Sequence, residues 1–286
     1  MPYAAAPDGT RIYYETHGAG PPLYVCHGGP NATFSYLVPD LQPLERCRTL
    51  VYHEYRGSGR SGTAPPETYT FPHLADDLDA LRAHLGHDRI DLLAHSLGGF
   101  PAQLYALRYP ERTGRLVLIS TTPTGNYRAL ARPAVRALGL RRLLALAARA
   151  AAYAARWAWR PESPARRSAR YALFRSLQEG RPAFRAEVEA REAAAAIDPD
   201  NVRHLERCIY ATDLRPALPG LRPPVLVLCG ARDAVFAAAA ALYRRSLPRA
   251  QVVLLPGVGH HPLIEAREES LALIGRFLGC GANPAP

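Results

Sequence analysis

The stretch Asp91-Leu92-Leu93-Ala94-His95-Ser96-Leu97-Gly98-Gly99 carries the sharpest chemical signal in the chain. An apolar strand, Ile90 to Ala94, runs into a turn of small residues and then into the helical pattern FPAQLYALRYP. A serine at the tip of such a strand, turn and helix is held in a strained conformation that presents its hydroxyl, provided its neighbours are small enough for strand and helix to approach. Gly98 meets that need on one side and Ala94, small but not glycine, on the other. Serine is a weak nucleophile at its free pKa and needs an adjacent base. The late segment PGVGHHPLIEAREE offers His260 and His261, in a turn bounded by Gly257 and Gly259 after the strand Val252 to Leu255. Either ring can face Ser96 with one nitrogen while a carboxylate holds the other. Asp233, in the loop just after the strand VLVLCG, is the best-placed acid, with Asp213 as its rival.

A second glycine turn, HGGPN at His27 to Asn31, follows the apolar run Leu23 to Cys26. Two glycines behind a strand let backbone amides approach a ligand atom closely. The elements that must hold these turns are legible as short apolar and β-branched runs at Arg11–Glu15, Leu23–Cys26, Thr49–His53, Ile90–Ala94, Leu116–Ser120, Val225–Cys229 and Val252–Leu255. Helical patterns separate most of them. In HLADDLDALRAHL, Leu74, Leu78, Leu81 and Leu85 form one stripe, and the acids of the first turns suit the helix dipole. Alternating strand and helix implies a mostly parallel sheet with helices on both faces, with ligands at the carboxyl ends of the strands.

The alternation breaks between Leu116–Ser120 and Val225–Cys229, where the chain is rich in Ala, Arg and Leu and offers a helix start at Asp198-Pro199. The expected organisation is a core of residues 1–122 and 217–286 with a helical cap, residues 123–216, inserted over the sheet. All 35 basic residues are arginine and the formal charge is +10. Residues 124–216 hold 18 Arg against 9 Asp plus Glu, or +9, which leaves +1 for the rest, so the basic charge belongs to the insertion. Arg142, Arg149 and Arg156 recur at a seven-residue spacing, as on the solvated side of an amphipathic helix.

No uninterrupted apolar run reaches the roughly 18 residues of a membrane span, and MPYAAAPDGTR has no basic region followed by an apolar stretch, so the expectation is a cytoplasmic protein without membrane association. The five cysteines lack metal-ligand spacing, and Cys26 and Cys229 lie in apolar strand runs that suit reduced, packed thiols. Nucleic-acid binding would need more than net charge, and no aromatic-rich basic strand accompanies it.

Taken together, YYETHG, HGGP, YRGSGRSG at Tyr55–Gly62, AHSLGG, YPERTGRLVLIS, DLRPAL, VLVLCGARD and GHHPLIE resemble the α/β-hydrolase superfamily over almost the whole chain, and its proline iminopeptidase-like branch in particular. The resemblance implies the α/β-hydrolase fold, the chain order Ser96, Asp233, His260 for a catalytic triad, and, through the pattern G-H-x-P-x-x-E, His260 rather than His261 as the base. It also implies an oxyanion hole from the backbone amides of Leu97 and Gly29, with His27 bracing the loop, and no metal or organic cofactor. Three positions depart from the branch. Asn31 stands for the last glycine of HGGPG, Glu54-Tyr55-Arg56-Gly57 for D-Q-R-G, and Trp159 is followed by Arg160 where some members have an acid that helps hold a substrate's amino group.

The expected function is therefore a serine hydrolase of esters, amides or thioesters. The arginine-rich insertion argues for a small anionic substrate or one carried on an acidic protein, and acyl transfer or cyclisation on the same fold is the alternative. An epoxide hydrolase or dehalogenase is disfavoured, because those members carry Asp where Ser96 stands.

Overall fold

The computed structural model describes residues 2–30, 32–137, 140–160, 163, 166, 169, 173, 177–178, 180–192 and 198–281. Eight strands form one sheet: β1 (Tyr3–Ala5), β2 (Arg11–His17), β3 (Pro22–Cys26), β4 (Thr49–His53), β5 (Ile90–His95), β6 (Thr113–Ile119), β7 (Val225–Gly230) and β8 (Gln251–Leu255). Their spatial order is β1-β2-β4-β3-β5-β6-β7-β8, with β2 antiparallel to both of its neighbours and β4 to β8 joined by parallel pairings. The chain steps one way from β3 to β4 and the other way from β5 to β6. The crevice of such a sheet opens where that direction reverses, above the carboxyl ends of β3 and β5.

Both faces of the sheet are covered, which is why β5 and β7 are buried at every residue and β7 reads as an unbroken apolar run and not as alternation. On one face Tyr24, Leu92, Ala94, Leu118 and Val227 pack with Leu78 and Leu81 of the helix Phe71–His84, with Ala102 and Tyr105 of Gly99–Arg108, and with Phe236 and Tyr243 of Phe236–Ser246. On the other, Leu23, Val25, Leu93, Val117 and Leu228 pack with Leu41, Leu44 and the face Leu271, Ile274 and Leu278 of the last helix, Arg267–Leu278. The helix Phe71–His84 starts at Thr70, whose hydroxyl accepts from the His73 amide.

Between β6 and β7 the described residues form the helices Tyr127–Ala137, Leu140–Trp157, Arg185–Glu192 and Pro199–Ala211, the last capped by Asp198 as its sequence implies. A lone antiparallel bridge from Thr124 to Asp213 joins the entrance of this insertion to its exit. Arg149 and Arg156 are exposed on Leu140–Trp157, while the side chain of Arg142 lies outside the described residues.

The edge strand β1 escapes the sequence reading, because three residues, Tyr-Ala-Ala, make no periodic signal. The cysteines divide in a way that spacing does not reveal. Cys26 and Cys229 are buried free thiols, each pushed up to about 12 by burial, but Cys47 and Cys280 form a disulfide across 233 residues of sequence. Such bonds persist in oxidising surroundings, which sets this pair against the cytoplasmic expectation. No helix among the described residues is long and apolar enough to cross a membrane.

Candidate active site

The loops that follow β3, β5, β7 and β8 all leave the same edge of the sheet, since these strands run parallel to one another. They carry Gly29, Ser96, Asp233 and His260 respectively. Ser96 begins a tight 3-10 turn between β5 and the helix Gly99–Arg108, and its φ of 53° is one of two positive values among described non-glycine residues. That region is disfavoured for L side chains and persists only when packing over-determines it. Here the packing is visible at Gly98, where a β-carbon would run into the carbonyl oxygens of Cys26 and His27. Ala94 occupies the other small-residue position, fully buried between Cys26 of β3 and Leu118 of β6. Gly98→Ala is expected to destabilise the protein by about 1–3 kcal/mol, the usual range for overpacking, as measured by the urea unfolding midpoint.

His260 Nε2 lies 3.0 Å from Ser96 Oγ, and His260 Nδ1 lies 2.6 Å from Asp233 Oδ2. Asp233 has no solvent exposure, and its other oxygen accepts from the amides of Val235 at 3.2 Å and Phe236 at 3.1 Å. The carboxylate is thus aimed by the first turn of the helix Phe236–Ser246. Phe236 also packs on the His260 ring, with centroids 4.7 Å apart. The rival acid is elsewhere: Asp213 pairs with Arg215 at 2.6 Å, and the Arg215 hydrogen bond holds its carboxyl below the ordinary range. His261 sits against His95 and Tyr36, at centroid distances of 5.2 and 6.5 Å.

Gly29 has φ 78° and lines one cavity together with Ser96, Leu97 and His260. The preceding His27 is buried, and burial pushes it down to about 4, so it stays neutral and its Nδ1–H donates to the Gly28 carbonyl at 2.8 Å. Tyr55, from the YRGSGRSG motif, donates to the His27 carbonyl at 2.9 Å, while Arg56 is buried in an ion pair with Asp77. That departure from D-Q-R-G therefore supplies a brace for the glycine loop. Asn31 lies outside the described residues.

The cavity is about 90 Å³, small beside the several hundred Å³ of a drug-sized pocket. Pro30, Tyr127, Gln178, Glu206, Ile209, Tyr210 and Phe236 also line it, and among the described lining residues Glu206 is the one carboxylate and there is no arginine. Arg191 instead bonds Asp40 at 2.6 Å, Arg203 bonds Asp200, and Arg181 donates to the Glu265 carbonyl at 2.9 Å. Trp159 is 98% exposed.

Three residues beyond the sequence-derived set shape the site. Glu265 is buried, and it accepts from the amides of Gly259 at 3.0 Å, Arg181 at 2.7 Å and His261 at 3.4 Å, tying the His260 loop to the insertion. Its place at the end of G-H-x-P-x-x-E was the available signal. The other two, Tyr36 and His95, had none beyond adjacency of His95 to Ser96.

A family model described as alpha/beta hydrolase fold matches residues 21–267. Among curated proteins, a putative carbamate hydrolase RutD of Rhizobium rhizogenes is 34% identical over 112 residues, 38% of this chain and 43% of that protein. A proline iminopeptidase of Clostridium botulinum is 35% identical over 128 residues, 44% of each. The alignments thus span less than half the length of these curated relatives. Among solved structures, a proline iminopeptidase-related protein from Thermus thermophilus superposes with a TM-score of 0.77 at 27% identity, covering 99% of this chain and 98% of its own. A hydrolase from Pseudomonas aeruginosa does so at 0.74 and 27%, covering 97% of each. The model match, the doubly covered sheet and the strand order agree that the chain belongs to the α/β-hydrolase fold family.

Proposed function

We propose that the protein is a serine hydrolase in which Ser96 is the nucleophile, His260 the base and Asp233 its orienting acid. The observation that carries this reading is the continuous hydrogen-bonded line from Ser96 Oγ through His260 to buried Asp233. Ser96 Oγ bonds to the carbonyl carbon as its proton passes to His260 Nε2, and the tetrahedral oxyanion is held by the Leu97 and Gly29 amides. Collapse expels the leaving group, which takes the proton from His260. Water then adds to the acyl-enzyme with His260 again as base, releasing the acid and restoring the serine. This chemistry needs no metal or organic cofactor. Asp233 keeps the proton on Nδ1, so that Nε2 faces Ser96 as an acceptor, and stabilises the imidazolium.

Residues 123–216 serve as the cap of this site, supported by the Thr124 to Asp213 bridge at their ends and by Tyr127, Glu206 and Tyr210 in the cavity wall. Glu206 in that wall, with no arginine among the described lining residues, favours a small neutral or amine-bearing acyl group. Names of relatives point the same way only as far as iminopeptidase and carbamate hydrolase. A second reading keeps the anionic expectation, as an acidic carrier docked on the outer surface near exposed Arg149 and Arg156, with acyl transfer or cyclisation replacing hydrolysis if water is excluded.

Proline p-nitroanilide, neutral p-nitrophenyl esters and a p-nitrophenyl succinate hemiester separate these readings. Glu206→Gln is expected to lower kcat/KM on the anilide about tenfold, the size of one lost charged hydrogen bond, and to leave the neutral ester within about twofold. Preference for the hemiester, unaffected by Glu206→Gln, would reverse the assignment of the acyl group.

A further inference from the structure

A chain of hydrogen bonds runs beside Ser96, outside the cavity lining, and it joins three loops that the reaction must keep in register. The Gly28 amide donates to Tyr36 Oη at 2.8 Å, Tyr36 Oη lies 2.6 Å from His95 Nδ1, and His95 Nε2 lies 3.1 Å from the carbonyl oxygen of His260. Donor directions follow from the groups themselves. A carbonyl can only accept, so His95 must carry its proton on Nε2. Burial, helped by the neighbouring His260 and His261, lowers the His95 pKa well below its ordinary value, so the ring is neutral and Nδ1 is an acceptor. Tyr36 therefore donates its hydroxyl proton to His95 and accepts from Gly28. Each bond is oriented one way, and the one tautomer of His95 that fits is fixed by its partners.

The three groups are also in close contact. Tyr36 is 5% exposed and His95 3%. A β-carbon at Gly28 would meet Tyr36 Oη at 2.9 Å, His95 Nδ1 at 3.0 Å and Ser96 Cβ at 3.1 Å, so the glycine loop is pressed against both the pair and the serine. His95 itself is the residue before the strained Ser96, so its ring anchors the backbone from which the serine turn departs. Neither Tyr36 nor His95 is among the described residues that line the cavity.

We infer that Tyr36 and His95 are positioning residues which lock the Gly28-Gly29 loop, the Ser96 turn and the His260 loop at fixed mutual distances. The inference rests on the serine hydrolase reading and deepens it. Its content is that the oxyanion amide of Gly29 and the base are set by one shared pair and not by their own loops alone. Displacing an oxyanion donor or base by about 1 Å costs roughly 100-fold in rate, and the ground-state complex feels it little.

The test uses the full chain with p-nitrophenyl butyrate and a fluorophosphonate probe. Tyr36→Phe removes only a hydroxyl, and is expected to lower kcat and the phosphonylation rate together by about 10- to 100-fold with KM within about twofold. His95→Leu should do the same. His95→Gln should recover most of the rate, because its amide N–H can donate to the His260 carbonyl while its oxygen accepts from Tyr36. Tyr36→Phe combined with His95→Leu should be no worse than the poorer single variant, as members of one unit are not additive. Four results overturn the inference: kcat of Tyr36→Phe within about twofold of the parent, a change confined to KM, His95→Gln as impaired as His95→Leu, or rate losses that follow loss of folded protein in thermal unfolding. Full turnover by Ser96→Ala would instead remove the reading beneath it, and that result is independent of Tyr36.

Discussion

Ser96→Ala is expected to lower kcat by about 10⁴- to 10⁶-fold while leaving the fold intact. The substitution deletes the oxygen that His260 Nε2 can deprotonate at 3.0 Å. What survives is binding and oxyanion stabilisation, which account for the residual rate over water in enzymes of this type. Stability should change by less than about 1 kcal/mol, because the side chain is only partly buried and alanine bears the positive φ about as well as serine does. Steady-state hydrolysis, fluorophosphonate labelling and a urea unfolding curve measure the three quantities separately. Hydrolysis within tenfold of the parent, or labelling that persists, would show that another residue attacks the substrate.

Asp233→Asn is the second large effect, and it separates chemistry from packing. Asparagine keeps an oxygen to accept from the Val235 and Phe236 amides, so the turn that opens the helix Phe236–Ser246 is retained. Its amide nitrogen, facing His260 Nδ1 across the 2.6 Å contact, is a donor where an acceptor stood. The ring must answer by moving its proton to Nε2, which then points a hydrogen at Ser96 and has no lone pair to receive one. The imidazolium also loses its counter-charge in a fully buried position. A drop in kcat of about 10⁴ with little change in KM is the expected result. A loss no greater than tenfold would mean that Asp233 fills a structural place only, and Asp213 could not replace it, since Arg215 holds that carboxylate at 2.6 Å.

Much of this was legible without coordinates, for reasons that differ by element. β7 announces itself as an unbroken apolar run, and β5 through its apolar stretch Leu92 to Ala94, because both strands are buried on both faces. The Ser96 turn is readable because only small residues permit the crossing, and Gly98 confirms the mechanism by the carbonyls a side chain there would strike. Asp198 and Pro199 mark a helix start whose chemistry is entirely local. Residues that act across long separations gave no such sign. The Cys47 to Cys280 bond closes 233 residues, and nothing in either neighbourhood selects the partner. Tyr36 looks like an ordinary core aromatic until β3 and β5 are set side by side and its hydroxyl meets His95.

Charge shows the same division most plainly. The sequence alone determined how many arginines the insertion carries, the helical character of that insertion, and the chain order Ser96, Asp233, His260 of the proposed triad, since composition, periodicity and local turn chemistry are properties of neighbouring residues. Only the tertiary structure decided which side chains face the cavity. A helix presents opposite charges to opposite sides within two residues, so a net charge of +9 is compatible with Glu206 in the wall and Arg149 and Arg156 in solvent. The direction of each depends on how the helices pack over Ser96, a long-range arrangement that no local window of the chain contains.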